Sequence, residues 1–453
     1  MTTVGEPDRA APGAGRPRTD DGSDAGGGGA ARWYRRDPLG FVERAARERG
    51  PVFRLPDDGS LCVADPETAL RVLHDDEGHY DEVSGFFHVP GGVLGPRSTQ
   101  VAIGRAARAT VRAHLAAHRD RLPAIVAELG EVSAWPAAGR AATYRFLTGM
   151  LLRPDSPPGL RELMAKVVRH DVLIRSGGPL TRARRRVLWA HVVRTLAAEV
   201  LTRRAGPHAA RPDRPPTWQT GVRPALPDHP PTPHTGPRPA RSGDRPAGRS
   251  DEPPSRRDGP AGDLLDAVIG AVPDDTPAAQ VAQVYLLLFR TSVAPVGHVV
   301  AWALLAAATH GVDLAAVPAE SAVRESLRLW PVAWLLGRPV RRAHQVGGVR
   351  LEPGESVSVC SYLLHRDERH WPQAARFRPG RWDGAGPRGP YLPFGGGPYT
   401  CAGAAVAHAL ATGLLSAVTD GARLEVRGGH GRPHVAGIIT PPPFELRRTR
   451  HQA

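Results

Sequence analysis

The sequence predicts a mainly α-helical single domain with minor β-sheets, and three observations carry that expectation. Apolar residues recur at helical spacing along most of the chain. The longest such run opens at Thr276-Pro277 and stays apolar to about His310, the length of a central core helix. Stretches with strand character are short and few, at 51–55, 61–64, 340–350 and 357–359.

Taken in order, 38–49 reads as a short amphipathic helix, followed by the first two strand candidates. Asp65 and Pro66 then cap a helix through 73, because proline fits a first turn whose N–H would be unpaired anyway. The Arg-rich stretch 104–129 is helical, and 140–152, 159–170 and 181–204 continue the pattern. Residues 261–271 and 317–329 flank the long helix, and 401–419 is the last helix.

Two stretches hold nothing from which to build a core. Residues 1–31 include four consecutive glycines, Gly26 to Gly29, and residues 206–260 hold 15 Pro and 6 Gly. Such composition gives disordered or polyproline-like chain. The first reads as a tail, the second as a solvated insertion or a docking arm. The remaining blocks, 32–205 and 261–453, form one domain, since the second does not look self-sufficient.

The formal net charge is +14, yet of 59 basic residues only Lys166 is lysine. Phosphate contact does not select against lysine, a good point-charge ligand. The basicity therefore reads as the composition of a GC-rich genome, and nucleic acid is not the expected partner. Cys62, Cys360 and Cys401 lie too far apart for a CxxC zinc site or a disulfide framework. Residues 1–31 lack the apolar core of a signal peptide, and every apolar run is interrupted before membrane-spanning length. The expectation is a cytoplasmic protein with no membrane partner.

The strongest local signal is Phe394-Gly-Gly-Gly-Pro-Tyr-Thr-Cys401-Ala-Gly403, directly before an Ala-rich helix. Gly395, Gly396 and Gly397 let the loop turn sharply and bring backbone close to a flat ligand. Gly403 keeps the helix start free of side chains. Cys401 stands where a helix N-terminus and backbone N–H groups can support a thiolate, which suits an axial ligand to haem iron. The bland alternative is a buried free cysteine beside a glycine turn.

A second signal is Glu325-Ser-Leu-Arg328, which puts an acid and a guanidinium on one helical face, 76 residues before Cys401. The same spacing recurs at Glu6–Arg9 and Glu445–Arg448. Only the central copy is followed by Phe377-Arg-Pro379-Gly-Arg381-Trp, from which Arg381 could complete a three-member buried ion network. A surface ion pair is the alternative.

Together these residues resemble the cytochrome P450 family over most of the chain. Glu325 and Arg328 fall on its ExxR motif, and Phe377, Pro379 and Arg381 on its FxPxR segment. His365-Arg366-Asp367 falls on the polar turn between them, and Phe394, Gly397, Cys401 and Gly403 on the haem-binding signature. The resemblance implies the single-domain fold of that family, haem b as cofactor, and Cys401 as the axial thiolate whose electron donation favours O–O cleavage. It further implies Arg338 as a donor to a haem propionate and Arg108 as a second, with Arg105 and Arg112 as rivals.

The chain departs from the family in two places. Tyr399 stands where His or Arg usually meets a propionate, and the helix near Gly104 lacks the usual His or Trp. In the long helix no Asp or Glu occurs from Thr276 to Val312, so the usual acid–alcohol pair is missing. Pro295 bends the helix by another device and frees a carbonyl near Thr291, while Thr291 or Ser292 could hold a water and relay protons. The expected function is a monomeric monooxygenase acting on a small apolar secondary metabolite. The segment 81–100, with Phe86 and Phe87, would line the pocket. Electrons would come from a ferredoxin and its reductase, as no flavin or iron–sulfur motif is present. A peroxide-driven or non-oxygenating haem-thiolate enzyme, and a non-catalytic haem-binding partner protein, are the alternatives.

Overall fold

The computed structural model describes residues 27–81, 88–89, 92–169, 179–206, 262–384, 389–435 and 437–450. Helix α1 (Gly27–Arg36) begins inside the stretch expected to be disordered. Its Trp33 and Tyr34 pack edge-on against Phe41 at 5.2 and 5.4 Å, and this aromatic contact offsets the entropy cost of its glycines. Phe41 lies on α2 (Pro38–Arg49), which Asp37 caps through the N–H of Gly40. Strands β1 (Val52–Arg54) and β2 (Leu61–Val63) lead to α3 (Pro66–His74), capped by Asp65 as its sequence predicts. A two-residue pairing of β3 (His88–Val89) with β4 (Gly92–Val93) precedes α4 (Arg97–His118).

The single helix expected over 104–129 is broken. A 3-10 turn at Arg119–Arg121 separates α4 from α5 (Leu122–Ala127), where Pro123 cannot extend a preceding hydrogen-bond ladder. Strand β5 (Val132–Trp135) was not anticipated from sequence. Helices α6 (Ala137–Leu151), α7 (Pro158–Arg169) and α8 (Pro179–Ala205) follow close to their predicted bounds. Apart from Gly206, the insertion 206–260 lies outside the described residues. On its two sides Arg203 of α8 pairs with Asp263 at 2.7 Å and Asp266 at 2.8 Å, at the start of α9 (Leu264–Ala271).

The 33-residue α10 (Ala278–His310) runs through the core against α6, α8, α9 and α11 (Ala319–Leu329). By length and composition it could cross a bilayer, but 78% of its most apolar window is buried inside the protein. It meets α6 backbone to backbone: a Cβ on Gly297 would lie 2.6 Å from the amide nitrogen of Arg140. The expected strand over 340–350 is instead β6 (Leu335–Pro339) followed by a hairpin of β7 (His344–Val346) and β8 (Val349–Leu351). Gly347 and Gly348, both at positive φ, make that turn.

Strand β9 (Ser356–Cys360) completes a four-stranded sheet of order β1-β2-β9-β6, with only β2–β9 parallel. The one-turn α12 (Ser361–Leu364) leads into the segment before Cys401. Helix α13 (Ala404–Thr419) starts three residues later than 401, because the Ala404 N–H closes a turn onto the Cys401 carbonyl. At the C-terminus, β10 (Ala422–Gly428) pairs with β13 (Phe444–Arg450), which also takes β5 on its other edge. A short pairing of β11 (His434–Val435) with β12 (Ile439–Thr440) lies between them. The architecture is mainly helical with small sheets, as the sequence predicts.

Candidate functional site

The loop before α13 is shaped by its glycines. Gly395 has φ +78° and Gly397 has φ +63°, backbone that side-chain-bearing residues rarely adopt. A Cβ on Gly397 would also strike the Leu73 carbonyl at the end of α3. The Cys401 N–H donates to the Phe394 carbonyl at 2.9 Å, which closes the loop on itself. Arg97, at the start of α4, donates to the Pro398 carbonyl at 3.0 Å and ties the loop to that helix. Cys401 is exposed on one side, whereas Cys62 and Cys360 are buried. Crowding on its other side pushes the thiol up, and the Gly403 N–H donating to sulfur opposes this. The N-terminal end of α13 thus supplies less net stabilisation of the bare thiolate than its position promises.

Glu325 and Arg328 form the buried centre expected of them, not a surface pair. Both side chains are fully shielded from solvent. Glu325 accepts five hydrogen bonds: from Arg328 Nη2 at 2.8 Å and Nε at 3.0 Å, Arg381 Nε at 2.9 Å, the Arg378 N–H at 2.9 Å and Trp382 Nε1 at 3.0 Å. Arg328 spends its remaining donors on the carbonyls of His365, Ala374 and Arg376, at 2.7, 2.9 and 3.0 Å. Arg381 completes the three-member network.

Sequence reasoning assigned no task to two residues here. Trp382, next to Arg381, donates the fifth bond to Glu325. His365 accepts from the Leu392 N–H through Nε2 at 2.7 Å, so its Nδ1 carries the proton and donates to the Arg328 carbonyl at 3.1 Å. This neutral imidazole fastens the end of α11 to the start of the Cys401 loop. Burial holds its pKa down at about 3. The signals were present in sequence, as the aromatic after Arg381 and the His-Arg-Asp turn.

Helix α10 is buried through most of its middle. Between Val281 and Ala307 the half-buried positions are Gln283, Leu287, Arg290, Thr291, Ser292 and Pro295. Leu287, Thr291 and Pro295 recur every four residues and share one face. Thr291 and Ser292 therefore lie among the half-buried positions at the middle of this helix. The Thr291 hydroxyl donates to the carbonyls of Leu287 at 3.0 Å and Leu288 at 3.1 Å. Pro295 lies inside the helix and has no N–H, so the Thr291 carbonyl lacks its helical donor.

Arg338 is buried against the same α3 terminus that Gly397 meets. It donates to the carbonyls of Val72 at 3.4 Å and Leu73 at 3.3 Å and pairs with Asp75 at 3.2 Å. Arg108 is half-buried, one turn beyond Gly104, whose Cβ position lies 3.6 Å from Ala402 Cβ. Arg105 and Arg112, its rivals, are both exposed. Tyr399 belongs to a 3-10 turn at Gly397–Tyr399, and its side chain is outside the described residues, as are Phe86 and Phe87. An accessible sulfur on a glycine-shaped loop fits the thiolate ligand of a flat metal-centred cofactor such as haem.

Comparison with known proteins connects part of the chain to a family. Residues 315–427 match the family model described as Cytochrome P450. Cyclooctatin synthase of Streptomyces melanosporofaciens is 36% identical over 127 residues, which cover 27% of this chain and 28% of that protein. Cytochrome P450 3A1 of Rattus norvegicus is 41% identical over 85 residues, 18% of this chain and 17% of that protein. The matched segments thus span under a third of those relatives' own length.

The fold similarity reaches further along the chain. P450BioI in complex with an acyl carrier protein ligated to hexadec-9Z-enoic acid superposes with TM-score 0.65 at 12% identity, over 92% of this chain and all of that one. CYP175A1 from Thermus thermophilus gives 0.62 at 18% identity, over 94% of this chain and 98% of that one.

Proposed function

We propose that the chain is a member of the cytochrome P450 family, whose model residues 315–427 match, and that it is a haem-thiolate monooxygenase. The observation that carries this reading is the single accessible cysteine, Cys401, on a loop whose start His365 fastens to the end of α11. Haem b, when bound, supplies redox at iron and transfer of one oxygen atom from O2 to an organic substrate.

The tasks of the chain follow from position. Cys401 Sγ holds the metal, and the Gly403 N–H on that sulfur limits its charge. Phe394, Gly395, Gly397 and Gly403 form the wall of the loop. Arg338, Arg108 and Tyr399 serve the propionate edge. Arg338 then shares its guanidinium between that edge and Asp75, since its present contacts are long. Leu287 and Pro295, half-buried and apolar on one face of α10, suit contact with a small apolar substrate. Thr291 and Ser292 hold water and pass protons. In this reading the protein is a cytoplasmic monomer whose electrons arrive from a ferredoxin and its reductase.

A second reading is supported by α10 itself. With no carboxylate from Thr276 to Val312, a peroxide-driven or non-oxygenating reaction asks less of the helix. Both readings require the same ligand. Replacing Cys401 by Ser should abolish the thiolate signature of the reduced carbonyl complex, while Cys62→Ser and Cys360→Ser keep it. A Cys401→Ser protein that retains the signature would overturn the assignment. Product formed with ferredoxin and reductase, against product formed with peroxide alone, separates the two readings.

A further inference from the structure

Seven residues beyond Pro295, about 10 Å along the helix axis, α10 carries Trp302, which is almost fully buried. Its indole stacks on Trp330 at the end of α11, with centroids 4.0 Å apart and planes 9° from parallel. Trp330 lies 6.2 Å from the ring of Tyr362. The Tyr362 hydroxyl donates to Glu43 at 2.6 Å, and Glu43 is half-exposed on α2. Aromatic residues make up only 6% of this chain. Here three oxidisable rings nonetheless form a continuous line from α10 to a half-exposed carboxylate.

We infer that Trp302, Trp330 and Tyr362 form a one-electron oxidation path leading outward from α10, ending in proton transfer from Tyr362 to Glu43. The inference rests on the haem-thiolate reading. Its oxidant is the haem after reaction with peroxide, and each transfer balances. The haem takes one electron, Trp302 and Trp330 pass the vacancy outward, and Tyr362 supplies the electron. The phenolic proton goes to the Glu43 carboxylate, leaving a neutral tyrosyl radical. A one-electron reductant in solution, such as ascorbate, then refills Tyr362, and Glu43 returns the proton.

The surroundings favour this end point. Arg366 lies 3.7 Å over the Tyr362 ring and 4.7 Å over Trp330, and a guanidinium there opposes a positive charge on either indole or phenol. The vacancy therefore settles only where a proton can leave, and Tyr362 is the ring with a carboxylate on its hydroxyl. Burial keeps that phenol protonated at rest.

The test uses substrate-free holoprotein whose reduced carbonyl complex shows the thiolate signature. It is mixed with hydrogen peroxide, freeze-quenched and read by electron paramagnetic resonance. The parent should give a neutral tyrosyl signal that narrows when the protein carries ring-deuterated tyrosine. Tyr362→Phe should lose that signal, Tyr362→Trp should replace it with a tryptophanyl one, and Trp330→Phe should lose it with Tyr362 still in place. Glu43→Gln should weaken it by removing the proton acceptor. An undiminished tyrosyl signal in Tyr362→Phe or in Trp330→Phe would overturn the path while leaving the haem-thiolate reading intact. Failure of the parent to form the thiolate complex would overturn both.

Discussion

Replacing Glu325 by Ala tests the reading of the site at its structural root. The carboxylate is fully buried and accepts five hydrogen bonds, two of them from Arg328 and one from Arg381. Removing it leaves Arg328 fully buried with no counter-charge, since its other partners are neutral carbonyls. Breaking a buried pair from one side costs about 3–5 kcal/mol. The Trp382 and Arg378 N–H groups also lose their acceptor, at about 1–3 kcal/mol each where water cannot reach. The total approaches the whole stability of an ordinary domain, about 5–15 kcal/mol. Glu325→Ala should therefore yield little folded protein, measured by urea unfolding and by haem bound per chain. Arg381→Ala should cost less, because Arg381 is 10% exposed and water can replace it. Glu445→Ala is the control: the motif repeats there on an exposed residue of β13, and the change should stay within about 0.5 kcal/mol. A Glu325→Ala protein as stable as Glu445→Ala would refute the network argument.

Three further outcomes are expected. Gly397→Ala should destabilise by at least about 1–2 kcal/mol through its left-handed backbone alone, with added loss from collision with the Leu73 carbonyl. Gly403→Ala, whose Cβ would meet only Cys401 Sγ at 3.9 Å, should leave the bare chain's urea midpoint unchanged. His298 is fully buried, its ring nitrogens have no hydrogen-bond partner, and burial first, then Arg140, holds its pKa down at about 3. Folded chain keeps His298 and His365 neutral while unfolded chain protonates them, so each lowers stability as pH falls from about 6.5 toward 3, by about 1.4 kcal/mol per pH unit. His298→Leu should remove one such increment from the slope of stability between pH 6 and 4; an unaltered slope would refute the assignment. Ala294→Glu, which restores an acid beside Pro295, should raise product formed per reduced nicotinamide consumed, and no gain would show that protons already arrive efficiently.

Elements whose signals are local were legible in sequence. Asp65 and the Thr276-Pro277 opening marked helix starts, and α6, α7 and α8 fell within a few residues of their periodic runs. The Cys401 loop and Glu325–Arg328 were legible because their chemistry is concentrated at short spacing. What escaped was set by distant partners. Strand β5 exists because β13, more than 300 residues later, offers it an edge. Helix α1 exists because Phe41 receives two aromatic rings. The bonds of Trp382 to Glu325 and His365 to Leu392 span 57 and 27 residues, and no spacing rule reaches that far.

The unusual sequence of α10 and the aromatic line beyond it answer related demands. Thr291 spends its proton on two carbonyls, so toward any further partner its oxygen can only accept. Ser292 keeps a hydroxyl with no partner among the described residues, and Pro295 leaves a carbonyl that also only accepts. A face made of acceptors and one hydroxyl can order water but cannot donate from an acid of its own. Proton delivery then depends on water that enters with, or around, the substrate. On the haem-thiolate reading, oxidising equivalents would then persist longer when substrate is absent or badly seated than an acid–alcohol pair would allow. The stacked Trp302 and Trp330 begin two turns away on this same helix, and Tyr362 ends the line at a half-exposed acid. A chain that handles protons slowly has the more use for a route that carries electron vacancies away safely. The two features should therefore couple: Ala294→Glu should diminish the Tyr362 radical by shortening the life of its oxidant.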